Sequence, residues 1–299
     1  MSAVDLQEVH DFLIGIAKEA GDMITAAKPT GAASGTKKNS VDLVTETDQA
    51  VEKMVSTSLK AKYPDFEFMG EETYKPGDTL TDAPTFIVDP IDGTTNFIHG
   101  HPYFCVSLGL AVKQKPVVGV IYNPLTRTLY TGIKGKGSYL TDPFHDKPVR
   151  LPLKHEPEPM PDLSHCLVAV EWGSEREGND YDVKVETFRK LCASKSDGGA
   201  MVHGIRSLGS AELNLCAVAA GQLDVYWECG CWAWDVCAGW VIVEEAGGLM
   251  VGAQKGDWEP NVDQRRYMAV RKGEGQRTVA EEFWECVVGR VEVGHDSVT

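Results

Sequence analysis

The chain has 299 residues, enough for one large domain or for two lobes that share a core. Its composition, 42% hydrophobic and 24% charged, is typical of a soluble globular protein and excludes collagen, coiled coil and wholesale disorder. The formal net charge of -15 disfavours nucleic-acid backbones and anionic membranes, so we expect neither a nucleic acid nor a membrane as a partner.

The first residues, MSAVDLQEVHDFLIGIAKEAG, mix acidic with apolar residues and have no basic leader, so we expect no signal peptide. The longest apolar stretches, such as residues 238–243, are too short to span a bilayer. Eight cysteines without a secretory signal favour reduced thiols. These features together predict a cytoplasmic protein.

The first half of the chain begins with a segment, residues 4–27, whose apolar side chains recur at helical spacing and predict an amphipathic helix. Residues 28–40 are rich in Gly, Ser, Thr and Lys and predict a loop. The elements expected next are a helix over 47–60 and strands over 86–88, 104–112, 117–122 and 128–131.

A segment with six prolines, residues 142–161, predicts the connection between two lobes, residues 1–146 and 147–299, which together form one structural unit. The elements expected beyond it are strands over 166–171, 224–227, 249–251 and 266–270, and helices over 181–194, 210–220 and 234–245. Helices alternating with strands and hairpin signals favour a mixed, layered α/β (α+β) architecture.

The stretch VDPIDGTTNF, residues 88–97, ends an apolar strand with two carboxylates close together. Asp89 and Asp92 repel each other at that distance unless a cation lies between them. Hard oxygen ligands of this kind suit Mg²⁺, and Gly93 permits a close approach of the backbone to a ligand. A helix N-cap explains one aspartate, but it explains two with Gly and two Thr less well.

Three further segments carry acidic residues: DLVTETD at 42–48, GEE at 70–72 and Trp234-Asp235. Taken alone, each fits a solvated turn or a capped helix start. No spacing rule predicts that they meet the 88–97 stretch.

Taken together, these segments resemble the inositol monophosphatase family. The matching motifs are DLVTETD at 42–48, GEE at 70–72, DPIDGTTNF at 89–97 and WDVCAGWVIVEEAGG at 234–248, and the similarity extends over roughly residues 5–270. The resemblance implies a five-layer αβαβα sandwich of the sugar phosphatase type and Mg²⁺-dependent hydrolysis of a phosphate monoester with two or three ions. It also implies a homodimer.

The resemblance implies that the metal ligands are Glu71, Asp89, Asp92, Asp235 and the backbone carbonyl of Ile91. It assigns Asp48 and Thr94, with Glu71, to catalysis by activating the attacking water.

For substrate binding, the resemblance implies that the backbone N–H groups of Gly93 and Thr94 contact the phosphate. Ala211, Glu228 and Asp235 would line the pocket for the inositol ring. Lys37 would lie in a loop that closes over the site, although its neighbour Lys38 fits that assignment within one residue.

The expected reaction is the hydrolysis of myo-inositol monophosphates to inositol and phosphate, inhibited by lithium. Rival substrates are 3′-phosphoadenosine 5′-phosphate, histidinol phosphate or another small phosphate ester, and a role beside a quinate pathway also stays open. Enzymes for the nucleotide tend to carry a lysine after DPIDGT, where this chain has Thr95-Asn96-Phe97. A metal-binding homologue without activity is disfavoured because every expected ligand is present.

Overall fold

The computed structural model describes residues 4–27, 34–36 and 43–293. The chain begins with helix α1, whose N-cap Asp5 accepts hydrogen bonds from the backbone of Gln7 and Glu8 at 3.0 and 3.1 Å. The elements up to the first large sheet are α1 (Leu6–Ala26), β1 (Ser34–Thr36), β2 (Leu43–Thr45) and α2 (Glu46–Lys62), and β1 pairs with β2 in antiparallel orientation.

The first large sheet has seven strands in the order β3-β4-β5-β6-β7-β8-β9. Its first pair is parallel and the remaining pairs are antiparallel. The strands are β3 (Glu67–Gly70), β4 (Thr85–Asp92), β5 (Cys105–Val112), β6 (Lys115–Asn123), β7 (Thr128–Ile133), β8 (Gly137–Thr141) and β9 (Val149–Arg150); the short helix α3 (Thr94–His99) connects β4 to β5.

The second sheet has five strands in the order β11-β10-β12-β14-β13, with β10 parallel to both of its neighbours. Its strands are β10 (Leu167–Val170), β11 (Gly204–Arg206), β12 (Val225–Cys229), β13 (Leu249–Gly252) and β14 (Arg266–Val270). The helices of this half are α4 (Asn179–Cys192), α5 (Ala211–Ala220), α6 (Cys237–Glu245) and α7 (Gln276–Cys286).

Five layers result, in the order α1/α2, first sheet, α5/α6, second sheet, α4/α7. Helices α5 and α6 are mostly apolar and are buried on nearly every side, because both of their faces are covered. Helix α6 lies very close to the first sheet: a Cβ at Gly119 would lie 2.2 Å from the carbonyl oxygen of Ala238. Glycine at this position of β6 therefore allows the layers to approach.

This architecture confirms the predicted mixed α/β sandwich of five layers, and most predicted elements appear within a few residues of their expected ends. The loop expected over 28–40 is wrong for residues 34–36, which form β1; its other residues lie outside the described part. Among the elements that the sequence analysis missed are β2, β8, β9, β11 and α7. Strand β9 pairs with β8, so the first sheet extends past residue 146, the expected end of the first lobe.

All eight cysteines are free thiols, and seven of them are buried. Among the described helices, we find none with the length and apolar character needed to cross a bilayer.

Candidate active site

The end of β4 carries the first two carboxylates of the site. Residues three apart in a regular strand face opposite sides of a sheet. Here Asp89 pairs with Ser107 and Asp92 with Cys105, so β4 has one residue more than β5 over this interval. This β-bulge at Pro90-Ile91 brings both aspartates to one side. Pro90 suits the bulge because it has no N–H to donate to the ladder.

Asp235 reaches the same point from the other half of the molecule. It closes a 3₁₀ turn, Ala233–Asp235, and its Oδ2 accepts a hydrogen bond from the Trp232 N–H at 2.6 Å. One carboxylate oxygen each of Asp89, Asp92 and Asp235 lie within 4.8 Å of one another. Burial raises the pKa of Asp89 well above its usual value, and the neighbouring carboxylates of Glu71, Asp92 and Asp235 raise it further. A cation would relieve this repulsion.

Glu71 belongs to the same group of charges, as its effect on Asp89 indicates. Its backbone N–H donates to the Val88 carbonyl at 3.2 Å, which extends the parallel pairing of β3 with β4. The buried Glu52 of α2 accepts the next N–H, that of Glu72, at 2.7 Å. The loop that carries Glu71 is therefore fixed from both sides.

Asp48 and Thr94 form a hydrogen-bonded pair beside the carboxylates. The Oδ2 of Asp48 accepts from both the backbone N–H and the hydroxyl of Thr45, in a capping box that starts α2. Its other oxygen, Oδ1, lies 3.0 Å from the Thr94 hydroxyl, which is also 3.0 Å from the carbonyl oxygen of Ile91. Thr94 thus lies between a carboxylate and one expected metal ligand.

Asp92 also joins the two sheets. Its Oδ2 accepts from the Ser210 hydroxyl at 2.5 Å and from the Glu212 N–H at 2.8 Å, and its Oδ1 accepts from the Ala211 N–H at 3.2 Å. The last residue of β4 therefore caps the first turn of α5. Burial raises the pKa of Asp92 to about 6, although these hydrogen bonds lower it.

A second connection between the halves involves Asn96, whose Nδ2 donates to the carbonyl oxygens of Tyr103 and Leu208, both at 2.7 Å. Gly93, which precedes α3, has a φ of 94°, and a Cβ there would lie 2.9 Å from the Gly209 carbonyl oxygen. Only glycine fits this junction without displacing the backbone.

A cavity of about 510 Å³ opens in front of the carboxylates. Most of the expected site residues line it: Glu71, Asp92, Gly93, Thr94, Ala211, Glu228 and Asp235. The other expected residues do not line the cavity but adjoin residues that do. Asp48 and the Ile91 carbonyl accept from the Thr94 hydroxyl, and Asp89 belongs to the carboxylate group. Lys37 lies outside the described residues, as does Lys38.

Glu228 lies near the end of strand β12 and lines the cavity. Burial and, to a smaller extent, the charge of Glu171 together raise the pKa of Glu228 to about 7. Its Oε2 accepts a hydrogen bond from the Tyr226 hydroxyl.

Several residues of the site were missed by sequence reasoning. Ser210 and Glu171 lie in the two segments that follow β11 and β10, and the Oε1 of Glu171 accepts from the N–H groups of Leu208 and Gly209 at 2.7 and 3.0 Å. A polar residue at the end of a predicted parallel strand is the signal that would have found Glu171.

A layered αβαβα fold with converging carboxylates, a paired hydroxyl and a cavity for a small molecule defines the class of metal-dependent phosphatases. The family model for the inositol monophosphatase family matches residues 5–288. The chain belongs to the inositol monophosphatase family.

Relatives support this membership over almost the whole length. Inositol monophosphatase 2 of Saccharomyces cerevisiae is 48% identical over 296 residues, which cover 96% of this chain and 97% of that protein. Quinic acid degradation cluster protein x of Neurospora crassa is 37% identical, covering 96% of this chain and 95% of that protein. The solved inositol monophosphatase of Anabaena superposes with a TM-score of 0.71 at 27% identity, covering 95% and 96%.

Glu212 gives a pH-dependent prediction. It is fully buried, its Oε1 lies 2.8 Å from the Ser107 hydroxyl, and its Oε2 accepts from the Gly239 N–H at 2.7 Å. Burial raises the pKa of Glu212 from 4.5 to about 8. The native state therefore holds this proton more tightly than the unfolded state, so its stabilising contribution is complete below pH 4.5 and is lost as the pH rises through 8.

Glu212→Gln mimics the neutral carboxyl and removes this titration. In metal-free buffer with a chelator, the free energy of unfolding should fall less steeply between pH 5 and 8 for the variant than for the wild type. The difference in slope should approach about 1.4 kcal/mol per pH unit. Urea denaturation at each pH measures it, and parallel curves would contradict a neutral Glu212.

Proposed function

We propose that this protein hydrolyses myo-inositol monophosphates to inositol and inorganic phosphate with two or three Mg²⁺ ions. The observation that carries the proposal is the convergence of Asp89 and Asp92, at the end of β4, with Asp235 of the other half of the molecule, beside the Asp48–Thr94 pair. The family and its yeast relative at 48% identity support the substrate. The family resemblance also leads us to expect inhibition by lithium.

The donor set fits Mg²⁺. The ligands would be carboxylate oxygens of Glu71, Asp89, Asp92 and Asp235, with the backbone carbonyl of Ile91, and hard oxygen donors of this kind suit that ion. When bound, Mg²⁺ acts as a Lewis acid on the ester and makes water a better nucleophile at neutral pH. The mutual repulsion that raises the pKa of Asp89 supports this role, since a dication is the natural counter-charge.

The attacking water would be oriented by the Thr94 hydroxyl. Both Thr45 donors hold Oδ2 of Asp48, which leaves Oδ1 to accept the Thr94 proton at 3.0 Å. A Thr94 that donates to Asp48 has its lone pairs available to accept a hydrogen bond from water. The water proton can then pass through Thr94 towards Asp48 as general base, and Glu71 would assist in activating the water.

The substrate would lie in the cavity of about 510 Å³ with its phosphate against the carboxylate cluster. The N–H groups of Gly93 and Thr94 would donate to phosphate oxygens, which gain negative charge in the transition state. Ala211, Glu228 and Asp235 would face the ring, where carboxylates accept hydrogen bonds from its hydroxyls. The family resemblance also leads us to propose that Lys37 lies in a loop that closes over the substrate.

The alternatives have less support. The N. crassa protein named for quinic acid degradation is 37% identical, against 48% for the yeast inositol monophosphatase, with similar coverage. No feature of the described cavity favours 3′-phosphoadenosine 5′-phosphate or histidinol phosphate. A non-enzymatic role is also disfavoured, because the acidic cluster and the water-activating pair are both intact.

Asp89→Asn is the sharpest test of the metal proposal, because Asp89 accepts one backbone hydrogen bond, from Ile91, which asparagine can retain. We expect phosphate release from inositol 1-phosphate to fall by more than about 100-fold, the upper end for loss of residues that merely support a metal ligand. Mg²⁺ should raise the unfolding temperature of the wild type more than that of the variant. The matched control is Asp82→Asn, an exposed change just before the same strand, which should leave both properties unchanged. Wild-type turnover by Asp89→Asn would refute the assignment.

We further propose that two copies form a homodimer through the face around Phe144. This side chain is 88% exposed and lines a cavity of about 460 Å³ together with Tyr103, Tyr130 and Leu213. Exposed apolar surface of this kind is typical of an interface.

In sedimentation experiments, the wild type should have the mass of two chains, and Phe144→Ser should shift the measured mass towards that of one chain. Val288→Ser, an exposed change in the other half, is the control, and an unchanged mass for Phe144→Ser would contradict this face.

We also propose that the two lobes expected at residues 1–146 and 147–299 form one structural unit in a cytoplasmic protein, with the first lobe extended to include β9. The hydrogen bonds of Asp92 to α5 support a single unit. The free state of all eight thiols is consistent with a reducing compartment.

A further inference from the structure

Two glutamates stand side by side on the ring-facing wall of the cavity. Strands β10 and β12 are parallel neighbours, and their last recorded pair is Val170 with Trp227. Glu171 and Glu228 follow at the next position of the two strands, and both line the cavity while being only 8% exposed. Like charges at neighbouring positions of paired strands repel each other. Glu171 accordingly adds to the effect of burial in raising the pKa of Glu228.

A buried lysine contacts the backbone one position further along the same two strands. Lys184, on α4, is only 2% exposed, and its Nζ donates to the carbonyl oxygens of Trp172 at 3.1 Å and Cys229 at 2.7 Å. These are the residues that directly follow the two glutamates. The ammonium thus bridges the ends of β10 and β12 where their regular pairing stops.

The chain turns closely around this ammonium group. Gly173 has a φ of 62°, and a Cβ there would lie 3.0 Å from the Nζ of Lys184. Trp172, Gly173 and Ser174 also line the cavity. The position of this part of the wall therefore depends on Lys184.

We propose that Lys184 is a positioning residue that holds Glu171 and Glu228 together as hydrogen-bond acceptors for the ring hydroxyls of the substrate. Its positive charge offsets the repulsion between the two carboxylates, and its two hydrogen bonds fix the backbone on which they stand. Burial of an ammonium group costs free energy unless the group is hydrogen-bonded and has a counter-charge nearby. The two carbonyl oxygens and the two glutamates meet these requirements for Lys184. The inference rests on the proposed function and adds to it the basis of affinity for polyhydroxylated substrates.

The arrangement separates two halves of substrate binding. The phosphate would be bound by the carboxylate cluster and its metals, and the ring by the glutamate pair. Loss of Lys184 should therefore weaken binding of the ring without weakening binding of phosphate. A lysine that merely filled the core would affect both halves together.

The test uses the full-length protein with Mg²⁺ and Lys184→Met, which removes the charge and keeps most of the side-chain volume. The KM for inositol 1-phosphate should rise about tenfold, the scale of one hydrogen bond to a charged group. The inhibition constant of inorganic phosphate and kcat should stay within about twofold. Lys184→Arg, which keeps the charge, should have a KM nearer to the wild type. The control is Lys255→Met, whose exposed lysine pairs with Glu285 in the same half of the molecule.

A double-mutant cycle tests whether Lys184 acts through Glu228. In a Glu228→Gln background, Lys184→Met should raise the KM by a smaller factor than in the wild type, because one of the charges that it offsets is absent. Equal effects of Lys184→Met in the two backgrounds would overturn the inference, as would a rise in the inhibition constant of phosphate that matches the rise in KM.

If Lys184→Met does not fold, the double variant Lys184→Met with Glu228→Gln tests the inference instead. It removes the ammonium together with one of the two carboxylates that the ammonium offsets, so it leaves less uncompensated buried charge than Lys184→Met alone. We expect it to fold and to bind inorganic phosphate like Glu228→Gln alone; an unfolded double variant would overturn the inference. A wild type that releases no phosphate from inositol 1-phosphate would refute the proposed function and this inference with it. An active wild type with an unchanged KM for Lys184→Met would refute the inference alone.

Discussion

The carboxylate of Asp92 ties the two halves of the active site to each other, and the remaining geometry depends on it. Both of its oxygens accept hydrogen bonds from the first turn of α5, while its backbone ends β4 of the other sheet. A residue that would hold a metal thus also caps a helix of the neighbouring layer. Asp235 reaches the cluster from the second half of the molecule. Its distance from Asp89 and Asp92 therefore depends on how the hydrogen bonds of Asp92 to α5 join the two halves.

Charge explains the rest of the arrangement. The chain is strongly acidic, yet the substrate that we propose is an anion. The carboxylate cluster resolves this conflict if cations occupy it, since they attract phosphate and relieve the repulsion within the cluster. On the ring-facing wall the same problem of neighbouring carboxylates has another solution, the buried ammonium of Lys184 between the strand ends of Glu171 and Glu228. One acidic cavity would therefore have two kinds of counter-charge: the cations that we propose for the carboxylate cluster, and the ammonium of Lys184 that is part of the fold.

Local patterns predicted the long helices and the central strands because their apolar spacing is regular, as in α1 and α2. They could not predict that Asp89 and Asp92 face the same side, since a regular strand would separate them and the bulge depends on pairing with β5. That Asp235 lies beside Asp89 and Asp92 could be expected only from the family resemblance, because these residues are far apart in sequence. Lys184 was missed, although it shares the inward face of α4 with Thr187 and Leu191, three and seven residues later. A charge at an inward helical position was the available signal.

Localisation of the metal tests the central claim most directly. Crystals grown with Mn²⁺ and inorganic phosphate would give anomalous difference peaks at bound manganese. The account predicts peaks in contact with the carboxylates of Glu71, Asp89, Asp92 and Asp235, with the phosphate beside them at the N–H groups of Gly93 and Thr94. Phosphate bound in the cavity with no metal at the cluster, or manganese bound elsewhere, would contradict it.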